Sequence, residues 1–423
     1  MLLIKNAHLI DPASHTDAEK DILLGDGKVI SVKDCIPAEE GMHVIDASGL
    51  IAAPGLVDTH SHFRDPGFTY KEDIHTGALS AAKGGYTSVV MMANTKPPID
   101  NPATLKDVLA RGAKEKIRIY SAANVTKGMK GEELTDFEAL KDAGAVVLTD
   151  DGKPILNSLL LRGALLHAKA VDLPVSLHEE DPAYIHENGI HAGAAAQHLH
   201  IQGSPSAAEY TMIRRDVQHA IETGAKLCIQ HISTKEGVEL VRQAKRHNPL
   251  IHAEATPHHF SLTEEAVIRC GANAKCNPPI RTEEDRMAII RGLQDGTIDI
   301  IATDHAPHAA EEKAVQPIWK APSGMIGLET ALSLGIRELV NPGYLTMEQL
   351  LACLTCNPAD YYHLNAGRIT EGGPADLVLF DPDGHWTVTE HFASKSSNSP
   401  FIGEEMPGVI HYTICRGEIV YEQ

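Results

Sequence analysis

Between residues 50 and about 365, short apolar runs rich in β-branched residues alternate with longer stretches of helical periodicity. This alternation predicts repeated βα units around a parallel sheet. Eight runs carry it: LIAAPGLVDTHSH (50–62), YTSVVMMAN (86–94), IRIYSAA (117–123), AVVLTDD (145–151), PVSLHEE (174–180), KLCIQHIS (226–233), IHAEATPHH (251–259) and IDIIATDHAPH (298–308). Most begin apolar and end in His, Asp or Asn. Strands buried at their middle and carrying chemistry at their carboxyl ends have this form, so the expected α/β fold is a closed (β/α)8 barrel. A doubly wound open sheet would gather ligands at one switch point. Here polar ends arrive from runs one, four, five, six and eight, which a ring brings together far more readily.

The two chain ends read differently. The first 49 residues are short strands with turns at Asp26-Gly27 and Ala47-Ser48-Gly49, and the last segment resumes that character with DLVLF, TVTE and HYTICRGEIVY. Neither piece can build a core alone, so both are expected to join in one small β-sandwich domain. The predicted division is 1–53 and 366–423 for that domain, with 54–365 for the catalytic barrel.

Charge narrows the partners. The formal balance is −20, which argues against nucleic acid and anionic membrane surfaces. A buried metal cluster can still make one pocket locally positive, so an anionic small molecule stays open as substrate. Seven Cys without a paired framework read as reduced thiols, and Cys353 and Cys356, three apart in a predicted helix, read as packing. The N-terminus has no signal-peptide pattern and no run of eighteen apolar residues occurs, so the expected location is cytoplasmic.

His60 and His62 stand two apart on a predicted strand, so both imidazoles project to one side. Two such imidazoles are half of a zinc site. Among 24 His a lone pair of this kind would mean little. It gains weight because Asp151, His178, His231 and Asp304 also stand at or near the ends of runs. Asp150 and Asp151 close run four before Gly152, and strand alternation does not choose between them. A carboxylate can bridge two metals about 3.5–4 Å apart, and such a pair lowers the pKa of a shared water toward about 7 and polarises a carbonyl. A hydrolytic mechanism then needs one carboxylate to move a proton to the leaving nitrogen, for which Asp304 is best placed.

PGLVDTHSHFRDPG (54–67) resembles the dihydroorotase signature of the amidohydrolase superfamily. The resemblance runs on through MANTKPPID (92–100), LTDDGKP (148–154), HISTKEGVEL (231–240), ATPHHFSL (255–262), CNPPIR (276–281), ATDHAPH (302–308), SGMIGLET (323–330) and GRITEGGPADLVLFD (367–381). It implies two zinc ions per chain, one held by His60, His62 and Asp304 and the other by His178 and His231, with Asp151 between them. Many amidohydrolases use a carboxylated lysine as the bridge. Run four has no Lys before its turn, so the chain is similar to the bacterial type I dihydroorotases, which use aspartate. The implied reaction is reversible cyclisation of N-carbamoyl-L-aspartate to dihydroorotate in pyrimidine synthesis, with Asp304 as acid and base.

Such a substrate carries one or two carboxylates, and Arg64, two residues past His62, supplies a cationic fork for them. By resemblance Asn94, Asn277 and His308 complete the grip. Without the motif, Arg64 would read as a salt bridge to Asp65 or Glu72, and Asn277 as a turn residue before two prolines. The resemblance also implies a homodimer and allows association with aspartate carbamoyltransferase. Two competitors are a hydantoinase or allantoinase, whose usual run-four lysine and sequence differ here, and a non-catalytic carbamoyltransferase partner, for which the filled ligand positions are a poor match.

Lesser candidates remain. Asp58 reads as either support for His60 or a structural hydrogen bond; His258 and His259 as capping or lining groups; His186, His191, His198 and His200 as mostly solvated; His305 as pointing away from Asp304. The irregular segment from Ala309 to Gly327 is a candidate mobile cover.

Overall fold

The computed structural model describes all 423 residues. The amino-terminal strands are β1 (Leu2–Asp11), β2 (Thr16–Gly25), β3 (Lys28–Lys33), β4 (His43–Asp46) and β5 (Ile51–Pro54). Then come β6 (Leu56–Ser61), β7 (Tyr86–Met91), β8 (Arg118–Ala123), β9 (Val147–Leu148), β10 (Val175–Leu177), β11 (Leu227–Ile229), β12 (Ile251–Ala255) and β13 (Ile300–Ile301), followed by β14 (Leu377–Thr387), β15 (Glu405–Cys415) and β16 (Glu418–Glu422).

Strands β6 to β13 lie in chain order in one parallel sheet, each from one of the eight predicted runs. Their buried positions and the helices outside them share a core of 90 residues. Several strands are shorter than the runs that predict them, because the polar residues at each run's end leave the ladder to turn inward. The helices start on side-chain caps: Asp73 before Ile74–Lys83, Asn157 before Ser158–Ala170 and Thr282 before Glu283–Gln294. The ring closes between the ends of the first and last strands, where Ser61 pairs with His305 and His62 N–H donates to the His305 carbonyl at 2.8 Å. Asp58 pins the same seam. It accepts from Ser61 Oγ at 2.6 Å, Thr303 Oγ1 at 2.6 Å and Thr303 N–H at 2.9 Å, a structural role beneath the site.

The two chain ends form one antiparallel-rich sheet in the order β16-β15-β14-β5-β1-β2-β3, with β4 paired to Leu2–Lys5 of β1 and β5 to its later residues His8 and Leu9. The sheet encloses a core of 15 residues that includes Ile4, Leu24, Ala52, Leu377 and Ile414. The small domain is therefore stitched together by ladder hydrogen bonds between amino- and carboxyl-terminal strands. Asp26 and Gly27, both at positive φ, make the two-residue turn between β2 and β3. The chain changes sheet at Gly55, where an added Cβ would lie 2.2 Å from the Thr87 side chain. No helix is long and apolar enough to cross a membrane.

Candidate metal centre

His60, next to last in β6, has a fully buried imidazole, and His62 follows just beyond the strand. The extended backbone between them turns both rings toward the barrel axis. His178, His231, Asp151 and Asp304 arrive one to three residues after β10, β11, β9 and β13. Two of the arriving residues, His231 at φ 31° and Asp304 at φ 45°, hold left-handed backbone that side chains rarely adopt, and Arg64 does so at φ 58°. Such conformations cost about 1–3 kcal/mol each and persist only where the surroundings impose them.

Asp151 sits at the middle. Its Oδ1 is 3.5 Å from His60 Nε2, 3.6 Å from His231 Nε2 and 3.8 Å from His178 Nδ1, while its Oδ2 is 3.5 Å from His62 Nε2. Asp304 Oδ1 lies 3.0 Å from His62 Nε2 and 3.5 Å from His60 Nε2. Two sets of ligand atoms thus share one carboxylate: His60, His62 and Asp151 on one side, and Asp151, His178 and His231 on the other. Asp150 points away. It accepts from Val125 N–H at 3.0 Å and from the Thr126 N–H and hydroxyl, and burial raises its carboxyl to about 6.

The donor set suits cations. His60 Nε2 is buried without a hydrogen-bond partner and faces both carboxylates. His178 Nδ1 and His231 Nε2 lie 3.1 Å apart. Burial disfavours charge on all these groups, yet for Asp151 and Asp304 the surrounding imidazoles outweigh it and hold both carboxyls below the usual range. Burial likewise opposes a charged His60, but Asp151, Glu254 and Asp304 hold that imidazole well above its ordinary value. Ionised carboxylates among buried imidazoles make a site that a divalent metal would satisfy.

Two supporting residues escaped the sequence reading. Glu254 Oε2 lies 3.3 Å from His60 Nδ1, and Glu180 Oε2 lies 3.2 Å from His178 Nε2. Carboxylates in that position fix the tautomer of a ligating imidazole. Glu254 was visible as the one carboxylate in the middle of run seven, and Glu180 as the residue two beyond His178. Asn94 was named, but in a different role: its Oδ1 is 3.0 Å from His62 Nδ1, and its Nδ2 donates to Asp151 Oδ2 at 3.0 Å. Both ends of the amide hold neighbours of the cavity.

The cavity in front of this cluster has a volume of about 140 Å³ and is lined mostly by polar residues, among them Arg64, Asn94, Asn277, Asp304 and Ser323, with Gly324 at its edge. Arg64 forms no ion pair: Asp65 binds Arg111 at 2.6 Å and Glu72 faces His305 at 3.3 Å. Its Nε donates only to the Pro307 carbonyl at 3.2 Å. Asn277 Oδ1 is also buried without a partner. His308 stands behind the lining. Its Nε2 is 2.9 Å from the Ser323 carbonyl, and its Nδ1 faces Glu312 and Lys71 at 3.3 Å each.

His258, His259 and Cys276 form a further buried group of metal-type donors. Here hydrogen bonds account for the geometry. His259 Nε2 is 3.0 Å from the Pro278 carbonyl, which requires a proton on that nitrogen, and Nδ1 is 2.7 Å from Thr256 Oγ1. Burial holds His258 down to about 4 and pushes the Cys276 thiol up, which disfavours the thiolate a metal would bind. His305 points away from the cluster toward Glu72, while His186, His198 and His200 are exposed. His191 departs from the solvated expectation: it is buried and its Nδ1 is 3.0 Å from Arg281.

A family model described as "Amidohydrolase family" matches residues 51–420. Full-length relatives include dihydroorotases from Clostridioides difficile and Streptococcus pyogenes, each 52% identical over 421 residues, and one from Clostridium acetobutylicum, 50% identical over 423. In all three the match covers 100% of both chains. Among solved structures, an L-hydantoinase (dihydropyrimidinase) from Arthrobacter aurescens aligns with a TM-score of 0.90 at 26% identity, over 100% of this chain and 96% of that one. A dihydropyrimidinase from Brevibacillus agri, at 22% identity and a TM-score of 0.85 over 99% and 95% of the chains, is alike in fold.

Proposed function

The chain belongs to the amidohydrolase family, and from that premise we propose that it is a dihydroorotase, closing N-carbamoyl-L-aspartate to dihydroorotate and water and reopening it. The supporting observation is the pairing of a shared-carboxylate metal cluster with a cavity whose one arginine, Arg64, has no carboxylate partner. That combination suits an acidic cyclic amide. The metal set is His60, His62, Asp151, His178, His231 and Asp304, holding two zinc ions. Bound there, the metals supply a water acidified toward neutrality and polarisation of the ring carbonyl.

The chain's own residues do the rest. In the hydrolytic direction Asp304 takes the proton of the attacking water and passes it to the ring nitrogen as the amide bond breaks. Its carboxyl, held low, is in the ionised form this requires. Asn94 keeps His62 and Asp151 oriented through its two hydrogen bonds. Arg64 binds the carboxylate beside the ring as a fork, and Asn277, with a free buried carbonyl oxygen, accepts from a ring N–H. His308 contributes indirectly, by holding the Ser323 carbonyl at the cavity edge. Cyclisation runs these steps in reverse.

The enzyme acts as a cytoplasmic homodimer in pyrimidine synthesis, a reading in keeping with seven free cysteines. Likeness of fold to hydantoinases favours a second reading, activity on a neutral cyclic ureide, but that likeness is at 26% identity against 50–52% for the dihydroorotases. Metal analysis of the purified chain with assays on dihydroorotate, a hydantoin and allantoin separates the two. Turnover of a hydantoin or allantoin with none of dihydroorotate would reverse the assignment.

A further inference from the structure

One side of the cavity is formed by a segment with little regular structure, residues 319–324, of which Ser323 and Gly324 reach the lining. Every carbonyl from Ala321 to Gly324 nevertheless accepts from a side chain. Lys275 Nζ donates to the carbonyls of Trp319 at 3.1 Å and Ala321 at 2.5 Å. Lys313 Nζ donates to those of Pro322 and Gly324, both at 2.9 Å. His308 holds the Ser323 carbonyl, and Asn398 adds a second donor to Gly324 at 3.1 Å.

Both lysines are buried, Lys275 completely. Neither has a carboxylate within ion-pair distance. Glu312, next to Lys313, is turned to Lys71 and Tyr70 instead. Amide side chains could satisfy the same carbonyls without burying charge, and an unpaired buried ammonium is costly. A reason for the charge lies in front of the wall. The Pro322–Ser323 peptide joins the two: its carbonyl is bound by Lys313, while its N–H, on Ser323, donates to no protein acceptor and Ser323 lines the cavity. A cation on the carbonyl side makes that N–H a stronger donor.

We propose that Lys275 and Lys313 are positioning residues that hold segment 321–324 as one wall of the substrate cavity and adapt that wall to an anionic substrate. The proposal rests on the reading of the substrate as an acidic cyclic amide. Burial lowers Lys275 to about 8, and burial together with the Lys275 charge lowers Lys313 to about 7; Cys276, Glu312 and His308 are the other titratable neighbours of Lys313. Both ammonium groups thus stand close to losing their protons, and a carboxylate in the cavity favours keeping them.

The test uses the metal-loaded enzyme with Lys275→Met and Lys313→Met, each in a Trp386→Phe background, so that Trp319 is the only tryptophan. Each variant raises KM for dihydroorotate by about tenfold or more, changes kcat by less than about threefold, and increases acrylamide quenching of Trp319. Unchanged KM together with unchanged quenching overturns the proposal. Should the unaltered chain fail to turn over dihydroorotate, the functional reading falls, while the quenching still tests the wall. Amide exchange on the unaltered chain needs no variant: slow exchange in a peptide spanning 318–326 supports the clamp, and exchange as fast as in an exposed loop overturns it.

Discussion

Nδ1 of His60 lies 3.3 Å from Oε2 of Glu254, with both side chains out of reach of solvent. The contact puts the ring proton on Nδ1 and leaves Nε2 to face Asp151 and Asp304. Glu254 is itself fixed, since its other oxygen accepts from Thr59 Oγ1 at 3.0 Å and Tyr362 OH at 3.2 Å. Glu254→Gln keeps the shape and loses the charge. It is expected to weaken metal binding by about 10- to 100-fold, measured by chelator competition. Wild-type affinity in that variant would remove Glu254 from any role at the metals.

Asp304→Asn should lower kcat by at least about 100-fold, the range for loss of a positioned acid or base. Metal content should stay near that of the parent, because five other ligands remain. Turnover retained at the parent rate would falsify its assignment to proton transfer.

Arg64→Met removes the one arginine or lysine that lines the cavity, whose contacts are to the Pro307 carbonyl and His308 and to no carboxylate. A charge-assisted hydrogen bond contributes about 1.5–3 kcal/mol, so KM for dihydroorotate should rise by roughly 10- to 100-fold. Any turnover of a neutral hydantoin should be much less affected. Equal losses on both compounds would show that the variant disturbs the site as a whole.

The equilibrium carries its own signature. Ring closure turns a dianion into a monoanion and takes up a proton, so lower pH should favour dihydroorotate. The ratio of the two compounds at equilibrium, measured across neutral pH, should shift by about tenfold per pH unit. A ratio that ignores pH would exclude this reaction.

Lys313 gives a pH dependence of stability. Its folded pKa, lowered by burial and by Lys275 to about 7, lies below the ordinary 10.5. Between those values the unfolded chain holds the proton and the folded chain has lost it, so raising the pH stabilises the fold. The contribution is present above about 10.5 and disappears as pH falls through about 7. Denaturant unfolding of the parent and Lys313→Met should therefore show the parent gaining stability relative to the variant as pH rises from 7 to 10. Parallel curves would mean that Lys313 is not depressed.

Much of this molecule was legible along the chain. Each of the eight runs contains a barrel strand because a buried parallel strand needs an uninterrupted apolar stretch, and the polar residue after it marks where the chain turns into the site. The turn at Asp26-Gly27 could be read for the same local reason, since positive φ selects those residues. His60 and His62 faced one way by strand alternation alone. Partners brought together across the ring were a different matter. Glu254 meets His60 from 194 positions away, and Lys275 and Lys313 meet the carbonyls of 319–324 through contacts without periodicity.

The sequence by itself determined the alternating βα order, the joining of both ends into a second domain, and which residue types stand at the strand ends, because local propensity and burial periodicity are properties of short segments. Only the tertiary structure decided that Asp151 enters the cluster while Asp150 binds Thr126, that Arg64 goes unpaired, and that two buried lysines support the cavity wall. Those outcomes depend on which groups are left within hydrogen-bonding reach once the ring has closed.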